Sequence, residues 1–175
     1  MTSKRRILND VRVLDFTRLV AGPYCTRVLA DLGASVTKVD ELPDLGHGPV
    51  RSAGSAAYNA GKRSIAIDLK RDEGIEVALK LAGESDVVVE NFRPGVMERF
   101  GLAYKDLEPV NPRLIYTSIS GFGQTGTLSG RRAYGATAHA EAGWLWVQQQ
   151  AAGVDSPFAP GVTVADLETA VMAVP

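Results

Sequence analysis

The chain has 175 residues, 45% of them hydrophobic and 22% charged, with a formal net charge of −1. That size and composition belong to one globular unit with a sizeable core. They exclude the basic footprint of a nucleic-acid binder and any apolar run long enough to span a membrane. One cysteine and two histidines allow no disulfide framework and no metal-ligand spacing.

The N-terminal Met-Thr-Ser-Lys-Arg-Arg is followed by Ile-Leu-Asn-Asp, not by an apolar stretch, so it does not read as a signal peptide. A soluble, cytoplasmic protein is the expectation. Arg12–Phe16 is a short apolar run suited to a buried first strand. Ala21-Gly-Pro23 opens a helix whose apolar positions Ala21, Cys25, Val28, Leu29 and Leu32 follow helical spacing, with Gly33 as its stop. Ser35–Asp40 is a second strand. From Glu41 to Gly61 the chain is rich in Gly, Pro, Ser and Ala and reads as a loop, with His47 solvated inside it.

Ser64–Asp68 is a third strand, and Asp72 is expected to cap the helix in which Ile75, Ala78, Leu79 and Ala82 share a face. Asp86–Glu90, with three consecutive valines, suits a strand buried on both faces. Pro94 starts a short helix that Gly101 ends, and Tyr104–Glu108 is one more turn. Arg113–Ser120 is the fifth strand. Residues 133–150 read as one helix, with Trp144 and Trp146 near its end, and a last helical pattern covers 163–174. Polar and basic residues follow the third and fourth strands: Asp68, Lys70 and Arg71, then Asn91, Arg93 and Arg99. Ligands of parallel sheets bind beyond such strand ends, so these groups point to an anionic, phosphate-bearing ligand.

Gly121-Phe-Gly-Gln-Thr-Gly126 matches a dinucleotide-binding glycine pattern, but that reading needs a helix to open there. Residues 127–132 continue as loop, so the glycines are assigned to a tight turn and a flap. His139, among alanines, is expected to be packed or hydrogen-bonded, and Cys25 to be inert core material. Asp166 sits in the first turn of the last helix, where the dipole favours negative charge. Glu168 points to another side of that helix, so a chemical Asp166 would act alone, as a nucleophile.

Seven segments occur in order: Leu14–Thr17, Ala21–Pro23, Leu32–Lys38, Asn59–Ile65, Asp68–Lys70, Asp86–Gly95 and Ile119–Gln124. Together they resemble the amino-terminal half of the class III coenzyme A transferases (CaiB/BaiF type), a family that also contains α-methylacyl-CoA racemase. The resemblance implies an α/β fold: a Rossmann-like, largely parallel sheet flanked by helices, spanning 1–175 as one CoA-binding domain. It also implies that the second domain and the C-terminal return to the sheet lie outside this sequence. The expected activity is transfer of coenzyme A from an acyl-CoA to a carboxylic acid, without metal, by an interlocked homodimer when full-length.

By the same resemblance Asp166 is the nucleophile. The CoA site would comprise Val20, Ala21, Ile67, Asp68, Leu69, Lys70, Asn91, Phe92, Arg93 and Arg99, with Arg132, Ala133, Tyr134 and Gly135 closing it near the thioester. Val20 replaces a glutamine and Glu41 an arginine found in some members. Gly126-Thr127 replaces a Gly-Pro, and Gly135 a common aspartate. Racemases carry a His-Asp pair where this chain has Tyr134 and Gly135, which disfavours a racemase or epimerase reading. A truncated, non-catalytic CoA-binding fold is the other alternative. As a free-standing polypeptide the chain is expected to expose apolar surface.

Overall fold

A computed structural model describes residues 6–42, 53–158 and 161–175. Five strands, β1 (Arg12–Asp15), β2 (Ser35–Asp40), β3 (Arg63–Ala66), β4 (Val87–Glu90) and β5 (Ile115–Ser118), form one sheet in the order β3-β2-β1-β4-β5. Every pairing is parallel; Val13 lies beside Val36 on one side and Val87 on the other. Crossovers between parallel strands must travel back over a face of the sheet, and helices cover both faces.

The period-two alternation of strands sorts the core into two layers. Leu14 and Val88 point toward α3 (Asp72–Gly83), α4 (Val96–Arg99) and α5 (Tyr104–Leu107), where Ala78, Ala82, Met97 and Leu107 meet them. Val13, Val87 and Val89 point the other way, toward α1 (Ala21–Asp31) and α8 (Val164–Met172), which supply Cys25, Leu29 and Ala170. All three valines of β4 are buried, as a central strand covered on both sides requires. The Cys25 thiol is pushed up to about 11 by burial, with the nearby Asp15 adding to the effect, so it is inert packing.

Local departures from the expected elements have physical causes. Ala53–Asn59 forms a helix, α2, where the Gly/Ala/Ser composition reads as loop. His47 lies outside the described residues. Asp72 is the first residue of α3 and not its cap; with Glu73 it places negative charge in the first turn. Strand β3 ends at Ala66, because Asp68 makes a turn by accepting Lys70 N (3.0 Å) on Oδ1 and Arg71 N (3.2 Å) on its carbonyl. The helix expected over 133–150 is two, α6 (Gly135–Glu141) and α7 (Trp144–Ala152), broken at Gly143, whose φ of 74° few other residues adopt. Trp144 therefore opens a helix instead of closing one. Among the described residues no helix is long and apolar enough to cross a membrane, and no group of three or more His, Cys, Asp or Glu could hold a metal ion.

Candidate active site at the reversal of strand order

Strand order reverses between β1 and β4, and a crevice opens beyond their carboxyl ends. One wall is the turn Thr17–Val20, which joins β1 to α1. Asp15 Oδ1 accepts Thr17 N (2.8 Å) and Thr17 Oγ1 (2.6 Å), and Lys38 Nζ donates to the Thr17 carbonyl (2.5 Å). Asn91, just past β4, takes hold of the next peptide unit: its Oδ1 accepts Arg18 N (2.7 Å) and its Nδ2 donates to Arg18 O (2.8 Å). Leu19 then adopts a φ of 66°, the one positive value among the described non-glycine residues. Arg18 is paired with Glu41 (2.6 Å) and lies over the Phe92 ring, 4.9 Å from its centre.

The crevice deepens into a cleft of about 490 Å³. Its floor and near wall are Arg18–Ala21 and Asn91–Pro94; its far wall is Ile119–Gly121, Ser129 and Arg131–Gly135; Ala165, Asp166 and Thr169 of α8 close it. The far wall comes close because Gly121 has no side chain: a Cβ there would lie 1.9 Å from that of Ala133. Gly135 has the same role beside Asp166, since a Cβ would stand 2.3 Å from Asp166 Oδ2. Gly123 and Gly126 both have positive φ in a turn, and no helix opens before Gly135, so the glycine run does not form a dinucleotide loop.

Burial raises the pKa of Asp166 from its ordinary value, and the neighbouring His139 partly offsets this. His139 is buried, stacks on Trp144 and accepts Ala165 N on Nε2 (3.0 Å), which ties α6 to the first turn of α8. Of the cleft arginines, Arg131 is paired with Glu141 (2.5 Å) and lies over Phe122. Among the described residues Arg93 and Arg132 have no ion-pair or hydrogen-bond partner, so their charge is available to an anion.

The sequence signature of CoA-transferase family III matches residues 8–175. The chain belongs to this family. It is 41% identical to a mouse protein named succinyl-CoA:glutarate CoA-transferase, covering 95% of this chain and 39% of that one. It is likewise 41% identical to a succinyl-CoA:mesaconate CoA-transferase of Haloarcula hispanica, over 94% of this chain and 45% of the other. A CaiB/BaiF family protein from Brucella suis superposes with a TM-score of 0.81 at 35% identity, covering 98% of this chain and 48% of that one. The chain thus spans less than half the length of these relatives.

Against this family III frame, the residues singled out in sequence fall into three groups. Val20, Ala21, Asn91, Phe92, Arg93, Arg132, Ala133, Tyr134, Gly135 and Asp166 line the one cleft. Ile67 and Asp68 line a second, shallower groove along β3 and α3. Leu69, Lys70 and Arg99 line neither. Strand β3 is two strands from β1 in the sheet, so that groove is separate from the main cleft. Sequence reasoning missed Arg18, Leu19, Arg131, Ala165 and Thr169. Arg18 and Leu19 lie in the turn just after the first strand and were findable by the rule that served for Asn91; the others are brought in by contacts between distant segments.

Proposed function

We propose that the full-length protein transfers coenzyme A from an acyl-CoA to a carboxylic acid, with Asp166 as the covalent nucleophile. The single observation that carries this reading is the position of Asp166, a half-buried carboxylate in the cleft where strand order reverses, a cleft also lined by Arg93 and Arg132, which have no partner among the described residues. The names of the relatives, which pair succinyl-CoA with glutarate, mesaconate or malate, support dicarboxylic acids as substrates.

The Asp166 carboxylate attacks the thioester carbonyl, breaking the carbon–sulfur bond and giving an acyl–aspartyl anhydride and CoA thiolate. The thiolate attacks the aspartyl carbonyl, releasing the first acid and leaving an aspartyl thioester. A second carboxylate attacks that thioester and forms a new anhydride and thiolate; the thiolate then takes the new acyl group and frees Asp166. No net proton is exchanged, so the reaction needs no general base. His139 spends Nε2 on the Ala165 amide. Each step needs thiolate and anhydride held together away from water, which a walled cleft favours.

Arg93 and Arg132 are suited to CoA phosphates or to the far carboxylate of a dicarboxylic acyl group. Ile67–Lys70 would carry the nucleotide end, outside the main cleft. A homodimer belongs to the same proposal. The test is incubation of the protein with succinyl-CoA and hydroxylamine, followed by peptide mass spectrometry. A hydroxamate on Asp166, lost in Asp166→Ala together with transfer, is the expected result. An unmodified Asp166 in a protein that transfers CoA overturns the covalent role.

A further inference from the structure

Two buried lysines lie under the crevice without lining it. Lys62, in the turn from α2 to β3, is 1% exposed at its side chain and is paired with Asp15, which is fully buried. Its ammonium has three protons, and the structure provides three acceptors: Asp15 Oδ2 at 3.0 Å, Asn59 Oδ1 at 2.9 Å and the Pro23 carbonyl at 2.8 Å. Asp15 is equally committed, with Oδ2 also accepting Thr26 Oγ1 (2.6 Å) and Oδ1 holding the amide and hydroxyl of Thr17.

A buried ion pair is a weak source of stability, because well-packed apolar residues of the same volume often serve as well or better. What apolar residues cannot do is grip peptide groups. The groups gripped here are those at either end of the segment Thr17–Val20: the Thr17 amide through Asp15, the Thr17 carbonyl through Lys38, and the Pro23 carbonyl in the first turn of α1. Between them sits Leu19 with its left-handed backbone, a conformation that persists only where its surroundings over-determine it.

We infer that Lys62 is a positioning residue: through Asp15 and the Pro23 carbonyl it holds the strained turn Thr17–Val20 in the shape that forms the cleft wall facing Asp166. Its kinetic consequence rests on the CoA-transfer reading above; its structural consequence does not. A guanidinium is planar and cannot direct three donors at acceptors grouped around one nitrogen, so charge alone does not reproduce the role.

The test compares wild type, Lys62→Met and Lys62→Arg in the protein at full natural length, well below the melting temperature of each. Hydrogen exchange is expected to rise selectively in peptides covering residues 17–24, with β4 and β5 unchanged. Transfer from succinyl-CoA is expected to fall about 100-fold in kcat, the order of loss that a misplacement of about 1 Å brings. Its KM for succinyl-CoA is expected to move by less than about threefold. Exchange that is unchanged in 17–24, or that rises evenly across the sheet, overturns the proposal, and so does full activity in Lys62→Arg. If the wild type transfers no CoA, the exchange measurement alone decides the role of Lys62, and the proposed reaction fails separately.

Discussion

Gly135 is the residue at which space and chemistry meet most closely. Because any side chain there would overlap Asp166 Oδ2, and because that oxygen is the free end of a side chain, Gly135→Ala is expected to fold normally while swinging the carboxylate aside. The expected reading is a kcat lower by about 100-fold, with the melting temperature nearly unchanged. The ionisation of Asp166 gives a second outcome. On the proposed mechanism only the ionised Asp166 attacks; burial raises its pKa, so transfer is expected to be lost as pH falls through a value above that of an ordinary aspartate. A pH profile of kcat/KM should show this acid limb displaced upward from about 3.9. The family resemblance assigned Gly135 and Asp166 to one site, but the direct overlap that a side chain at Gly135 would make was not legible in the residues themselves. Asp166 could be located there as a first-turn carboxylate, but Gly135 stands 31 positions earlier by number alone, and nothing in its surroundings announces a close approach.

At the scale of elements, the legible features are those set by burial pattern. The three valines of β4 announce a strand covered on both faces, and the structure places it between β1 and β5 with Val88 0% exposed. Val88→Ala is therefore expected to cost about 2 kcal/mol in chemical denaturation. Ile115, on the edge strand β5 and half exposed, should tolerate Thr within about 0.5 kcal/mol. The reading lost accuracy where composition hides geometry. Helix α2 is built from small residues that read as loop, and the break at Gly143 lies between two stretches that are both apolar. Asp15 is the sharpest case. It sits inside an apolar run that is correctly read as the first strand, yet its partner Lys62 is 47 positions away, so the pair could be seen only in three dimensions.

For the whole molecule, the apolar surface is unevenly distributed. Helix α7 has no buried residue, with Trp146 63% exposed and Val147 beside it, and Val171 and Met172 of α8 are open as well. A polypeptide of these 175 residues alone is expected to associate through such surface. Sedimentation velocity should show mass rising with concentration; a single monomeric species with a cooperative melt would contradict it. The cleft itself is a product of the entire topology. Its walls come from the segments after β1, β4 and β5, while Asp166 rides on α8, which packs against α1 through Ala170, Cys25 and Leu29. In a chain made from its N-terminus, the strand tips that bound the cleft therefore exist before the helix that carries Asp166. The order of translation thus puts Asp166 into the cleft only once the late helix has docked on the early one.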